Sequence, residues 1–207
     1  MGLSADQLKT ALDELATREP AIAAALARVG YPEPRISPRG YATLLRTIIG
    51  QQVSTKAAES VWRKLETIIG DLDDPANVTS ASDEQLREAG LSRQKAGYAR
   101  SLAALVASGE LDLANLPADD EEAIAKLVAV KGIGRWSAEI YLLFAEGRLD
   151  IWPAGDLAIQ IEVGRILGHE ARPSEKLVRE LAEAWRPHRG AAAVFAWYHY
   201  QSDMKVI

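Results

Sequence analysis

Two features between residues 127 and 156 combine residue types at spacings suited to chemistry. The first is Lys131-Gly132-Ile133-Gly134-Arg135, a glycine-rich turn between two apolar helical runs. Glycines suit a turn that needs positive φ or the close approach of another backbone. A partner can then reach the amides that open the helix carrying Trp136, and amides at a helix start favour an anion such as phosphate. Lys131 and Arg135 add positive charge beside them. The second feature is a lone carboxylate, Asp156, between Gly155 and the apolar Leu157-Ala158-Ile159. An aspartate there commonly caps a helix, and a capping aspartate can still face a cleft. The glycine turn alone is equally well explained as a structural link between helices.

The elements that must position these residues read as helix after helix. Ser4 is an N-cap for a helix with Leu8, Leu12 and Leu15 on one face. Pro20 opens an alanine-rich helix that Gly30 ends, and Tyr31 to Pro38, with three prolines, is an extended connector. Leu44, Leu45, Ile48 and Ile49 mark a helix from Tyr41, interrupted by Gly50-Gln51-Gln52. Ser54 caps the next helix, Thr55 to Ile69, and Gly70 to Ser80 reads as a loop. Short helices follow from Ser82 and from Ser92 through Val106. Acidic Asp119 to Glu122 suit the positive end of a helix dipole ahead of Ile124 and Leu127. The spacing then predicts helices over Trp136–Ala145, Leu157–Leu167, from Pro173-Ser174, and from His188 to about Ser202. No strand pairing is legible, so the fold class is all-α, as one unit with two helical lobes.

Composition narrows the field without choosing a function. A hydrophobic content of 48% with 26% charged residues describes an ordinary globular chain. No apolar run approaches the ~18 residues of a membrane-crossing helix, and the N-terminus lacks the pattern of a secretory signal. These readings place the protein inside the cell, in the cytoplasm or, in a eukaryote, the nucleus, with no membrane partner. Zero cysteines exclude disulfides, thiolate zinc sites and cysteine-ligated iron–sulfur clusters. His169, His188 and His199 show no metal-ligand spacing and read as core or surface residues. A formal net charge of −5 weighs mildly against nucleic acid, but binding depends on one face rather than on the whole molecule.

Several separated motifs in order resemble the helix-hairpin-helix base-excision DNA glycosylases. These are Ile48-Ile49-Gly50-Gln51-Gln52-Val53-Ser54, Val130 to Ala138 with the glycine turn, Pro153-Ala154-Gly155-Asp156, and Trp185-Arg186-Pro187-His188-Arg189. The resemblance covers roughly Gly40 to Tyr200 and is strongest to the DNA-3-methyladenine glycosylase II family. It implies two helical lobes with the active-site cleft between them, N- and C-terminal helices making one lobe and the middle helices the other, within a single domain over 1–207. The larger members carry an N-terminal β domain, for which the residues before Gly40 leave no room.

The resemblance also implies roles. Asp156 is the catalytic carboxylate, placed against the positive charge that develops on a sugar as its glycosidic bond breaks. Trp136 and Trp197 line the pocket for the base, with Ile140 where the family has a tyrosine and Tyr141 beside it. Gln52 matches the wedge that fills the gap left by an extruded nucleotide; a polar break between helices is the alternative. Lys131, Gly132, Ile133, Gly134 and Arg135, with Arg93 and Lys95 of a second loop, meet the DNA backbone. Main-chain carbonyls of Val128, Val130 and Ile133 hold a monovalent cation, Na+ or K+, in family members; no cofactor is otherwise required. Strand-cleaving members carry a lysine two positions after the second hairpin glycine, where this chain has Trp136.

The expected function is therefore monofunctional release of alkylated bases, of the 3-methyladenine or 7-methylguanine type, by a monomer acting on double-stranded DNA. The same fold could instead serve deaminated, oxidised or mispaired bases, or be a catalytically silent DNA-binding module. A structural helical interaction protein would leave the two hairpin glycines and their basic neighbours unexplained.

Overall fold

The computed structural model describes residues 2–204, with side chains described through Ser202, and the described residues are helical without a strand. The chain divides into two compact units, residues 38–141 as one, and 1–37 with 142–207 as the other.

The middle unit holds α3 (Tyr41–Gly50), α4 (Thr55–Ile69), α5 (Pro75–Ser80), α6 (Asp83–Glu88), α7 (Arg93–Ala107), α8 (Asp120–Val128) and α9 (Arg135–Tyr141). Helix α3 is its centre, packed on α4, α7 and α9. Its apolar face, Leu44, Leu45, Ile48 and Ile49, is buried, as are Leu65 of α4, Leu102 of α7 and Leu127 of α8. Serine caps start the helices where the sequence places them: Ser54 accepts from the Ala57 amide, Ser92 from Lys95, and Ser82 forms a capping box with Gln85. Asp119 caps α8, whose first turn carries Asp120, Glu121 and Glu122.

Two expectations need correction. The segment read as a loop over 70–80 contains α5, because Asp74 accepts from the Ala76 amide, Pro75 occupies the first turn and Val78 is buried as its anchor. The helix expected over Trp136–Ala145 stops being α-helical after Tyr141 and continues as one π-helical turn, Leu142–Glu146. Leu142, Leu143, Phe144 and Ala145 are all buried in succession, the pattern of a segment enclosed all round and not of an amphipathic helix.

The other unit comprises α1 (Ala5–Arg18), α2 (Pro20–Val29), that π-helical turn, α10 (Leu157–Ile166), α11 (Glu175–Leu181), a short 3₁₀ turn at Ala182–Trp185, and α12 (Arg189–Met204). Helix α12 packs on α1, α2 and α10. Leu8, Leu12 and Leu15 of α1 meet a core that also contains Phe195, Ile159 and Val163. Within it lie Glu162 and His199, 0% and 2% exposed. His199 Nδ1 contacts Glu162, and its Nε2 meets the Arg28 guanidinium. A guanidinium only donates, so Nε2 accepts and Nδ1–H donates to Glu162. This chain, buried at Glu162 and His199 and exposed at Arg28, links α2, α12 and α10, giving His199 a core role.

Candidate functional site

Asp156 is the N-cap of α10, with Oδ1 accepting from the Ile159 amide at 3.0 Å. The same oxygen accepts from the indole Nε1–H of Trp197 at 3.0 Å. Two donors converging on one oxygen fix the carboxylate's orientation. Trp197 is half-buried on α12, and its ring lies 5.5 Å, centroid to centroid, from Phe144 of the π-helical turn. Burial of the residues just before Asp156 holds the irregular approach in place. Trp152, 3% exposed, donates its indole N–H to the Val178 carbonyl at 3.2 Å and stacks edge-on against Trp185. Gln160 Nε2 reaches back to the Ala154 carbonyl at 2.8 Å, and Asp150 pairs with Arg189 and Arg186. Asp156 therefore caps α10 with the same oxygen that meets Trp197.

In the middle unit the glycine turn follows α8. The Val130 and Ile133 side chains are buried, 1% and 3% exposed, so Ile133 can offer a partner only its backbone. The two glycines do different things. Gly132 has φ +88°, and a Cβ there would lie 2.2 Å from the Tyr98 ring. Gly134 is absent from the positive-φ glycines, and a Cβ built there meets nothing within 4 Å. Gly132 thus serves the fold, while Gly134 leaves its backbone approachable. Lys131 is exposed. Arg135 is committed elsewhere: it grips Glu121 in a two-pronged pair at 2.9 and 2.5 Å, and its Nε reaches the buried Glu139 at 2.9 Å. Glu121, the main influence, holds the guanidinium proton more tightly than usual. Its charge is largely balanced within the unit.

The α3–α4 turn carries Gln52, an exposed residue with φ +55° and the non-glycine with positive φ among the described residues. Such a conformation costs about 1–2 kcal/mol for an L-residue and marks a position held by its surroundings. Gln51 Nε2 donates to the Gly132 carbonyl at 2.7 Å. Lys95, from α7, donates from Nζ to the Ile49 carbonyl at 2.7 Å, and burial pushes its ammonium pKa down. Gln51, Gln52, Gly90, Lys95, Tyr98 and Gly132 line one recess of about 400 Å³. Arg93 is exposed at the start of α7.

Of the remaining expected pocket residues, Trp136 is 46% exposed on α9 and Ile140 is half-buried. Tyr141 is buried at 3% and its hydroxyl accepts from the Gly40 amide at 2.9 Å, a structural engagement. The structure thus joins Asp156 to Trp197 in one unit, and in the other sets Gln52 and Lys95 around one recess with Gly132 of the glycine turn. It adds Gln51 and Phe144, which sequence reasoning missed. Gln51-Gln52 is a repeated side chain, and only the fold tells the inward residue from the outward one. Val128 ends α8, where the helix dipole gathers carbonyl charge, and Val130 and Ile133 follow in the turn, the Val130 carbonyl accepting from the Ile133 amide. Among the described residues no cluster of three His, Cys, Asp or Glu suits a metal ion, and no helix is long and apolar enough to cross a membrane.

A family model described as "HhH-GPD superfamily base excision DNA repair protein" matches residues 45–187, well over half of the chain. The protein belongs to that superfamily. It is 26% identical over 165 residues to a putative DNA-3-methyladenine glycosylase of Bacillus subtilis, covering 76% of this chain and 58% of that relative. Among solved structures, a DNA-3-methyladenine glycosidase from Bacillus halodurans superposes with a TM-score of 0.88 at 29% identity, covering 94% of this chain and 91% of that one. A 3-methyladenine DNA glycosylase from Schizosaccharomyces pombe, in complex with abasic DNA, superposes with a TM-score of 0.77 at 28% identity over 94% of this chain and 97% of that one.

Proposed function

We propose that this protein is a monofunctional DNA glycosylase that extrudes an alkylated base of the 3-methyladenine or 7-methylguanine type from double-stranded DNA and hydrolyses its N-glycosidic bond. The observation that carries the reading is Asp156, oriented by Ile159 and Trp197 at the head of α10, in a chain of base-excision ancestry. The names of its relatives support the substrate class, and the abasic DNA bound to the yeast neighbour supports DNA as the partner.

A cationic alkylated purine is already a good leaving group. As its bond to the sugar lengthens, the bonding electrons pass to the base and positive charge grows on the sugar. The Asp156 carboxylate stabilises that charge and orients or deprotonates the water that adds to the sugar carbon. Trp136 offers its ring face to the cationic base, a contribution of ~0.5–2 kcal/mol. Tryptophan at that position supplies no amine for a Schiff base, so the reaction ends at an abasic site. Gln52 fills the vacated stack, and Lys131, Arg93 and the amides around Gly134 meet the backbone. Carbonyls of Val128, Val130 and Ile133 suit a Na+ or K+ ion that braces the turn; the chemistry needs no other cofactor. The enzyme works as a monomer, in the cytoplasm or in a eukaryotic nucleus.

Incubation with randomly methylated DNA, followed by identification of free bases, tests the reading. The expected result is release of methylated purines, leaving alkali-labile sites without enzymatic strand breaks. DNA binding with no released base would point instead to a silent binding module, and release of deaminated or oxidised bases alone to another lesion class.

A further inference from the structure

Three observations in the middle unit converge on the α3–α4 turn. Gln52 is held at φ +55°. On one side Gln51 Nε2 is bonded to the Gly132 carbonyl, inside the glycine turn. On the other, the Lys95 ammonium is bonded to the Ile49 carbonyl at the C-terminal end of α3, where a cation also meets the negative end of the helix dipole. Sequence reasoning put Lys95 on a phosphate, yet its side chain turns inward and is half-buried.

We infer that Gln51 and Lys95 are positioning residues that hold the α3–α4 turn, Gln51 by tying it to the glycine turn and Lys95 by tying the end of α3 to α7, so that gripping the DNA backbone and presenting Gln52 to the base stack become one event. This rests on the wedge reading of Gln52. Without the lock, Gln52 has no reason to stay in a left-handed conformation, because a free turn would relax to the commoner α or extended regions. Tyr98, whose ring lies against Gly132, completes the seat on the hairpin side. The lock acts before the chemical step and touches no reacting atom.

The test uses the full chain with Gln51→Ala, Gln51→Glu, Lys95→Met and Gln52→Ala. Gln51→Glu keeps shape but loses the donor, and Lys95→Met keeps the apolar stem but loses the ammonium. Single-turnover base release is measured on a duplex with one 7-methylguanine paired with cytosine, and on the same strand with the lesion opposite an abasic gap. Duplex affinity is measured as a function of salt. A tether worth one hydrogen bond predicts about three- to tenfold slower release from the paired duplex for the Gln51 and Lys95 variants. Most of that loss should be recovered where the lesion is unpaired and extrusion is already cheap. The salt slope of Lys95→Met should match the parent. A slope reduced by about one would make Lys95 a phosphate contact and overturn the inference. Equal losses on both substrates, or full-rate Gln51 variants beside a slow Gln52→Ala, would overturn it alone. A full-rate Gln52→Ala on the paired duplex would remove the wedge, and the inference with it.

Discussion

At the scale of the residue, Asp156 caps α10 and is proposed to carry the catalytic charge, two duties that substitution can separate. Asparagine caps a helix as well as aspartate does, so Asp156→Asn should change stability by less than about 1 kcal/mol. It removes the charge, however, and base release should fall by about 10²- to 10⁴-fold, read from single-turnover rates on methylated DNA. A variant that excised at the parental rate would end the catalytic assignment. Trp197 is more than a ring: its N–H holds the carboxylate oxygen. Trp197→Phe keeps the contact with Phe144 and deletes that donor. A hydrogen bond to a charged group is worth about 1.5–3 kcal/mol, so the rate should drop by about tenfold or more while the melting curve moves little. Unchanged kinetics would reduce Trp197 to packing.

At the scale of the element, the glycine turn shows why two similar residues need not share a purpose. Gly132→Ala places a methyl group into Tyr98 and forces a left-handed backbone on alanine. Overpacking and backbone strain together should cost about 2–4 kcal/mol in urea denaturation. Pairing it with Tyr98→Ala should recover the steric share, and a strictly additive double mutant would show that the two residues do not meet. Gly134→Ala meets open space, so it should leave stability within about 1 kcal/mol and weaken DNA binding instead. Arg135 lies a residue further on but belongs with Glu121 and Glu139 as a brace between α8 and α9. Its replacement should therefore affect folding before it affects affinity.

At the scale of the whole molecule, the formal charge of −5 and the proposed DNA partner stand together only if the cations are unevenly placed. Acidic residues are consumed in pairs such as Arg135–Glu121, Arg100–Asp83 and Arg186–Glu183, or sit in first turns such as that of α8. Lys131 and Arg93 stay exposed near the turns proposed to meet the backbone. Few phosphates would then be neutralised. The logarithm of the binding constant should fall against the logarithm of salt concentration with a shallow slope, about −2 to −4. A slope near zero would remove the backbone grip, whereas one near −8 would require a basic face that these residues do not provide.

The sequence by itself determined the helical class, most helix starts and the place of Asp156 at one of them. Those are local matters: serine and aspartate caps act within three residues, apolar spacing repeats every turn, and Asp156 sits at a helix start whatever surrounds it. It misread the helix after Asp74 and the π-helical turn after Tyr141, where a buried anchor or enclosure on all sides overrides the local pattern. Only the tertiary structure decided that Trp197 holds Asp156, that Lys95 faces inward, that Arg135 is paired, and that Gln51 ties one turn to another. The partners of Trp197, Lys95 and Gln51 lie 41, 46 and 81 residues away in the chain, and Glu121 lies 14 from Arg135. No spacing rule records such partners, because the packing of α3 on α7 and α9, and of α12 on α10, brings them within bonding distance.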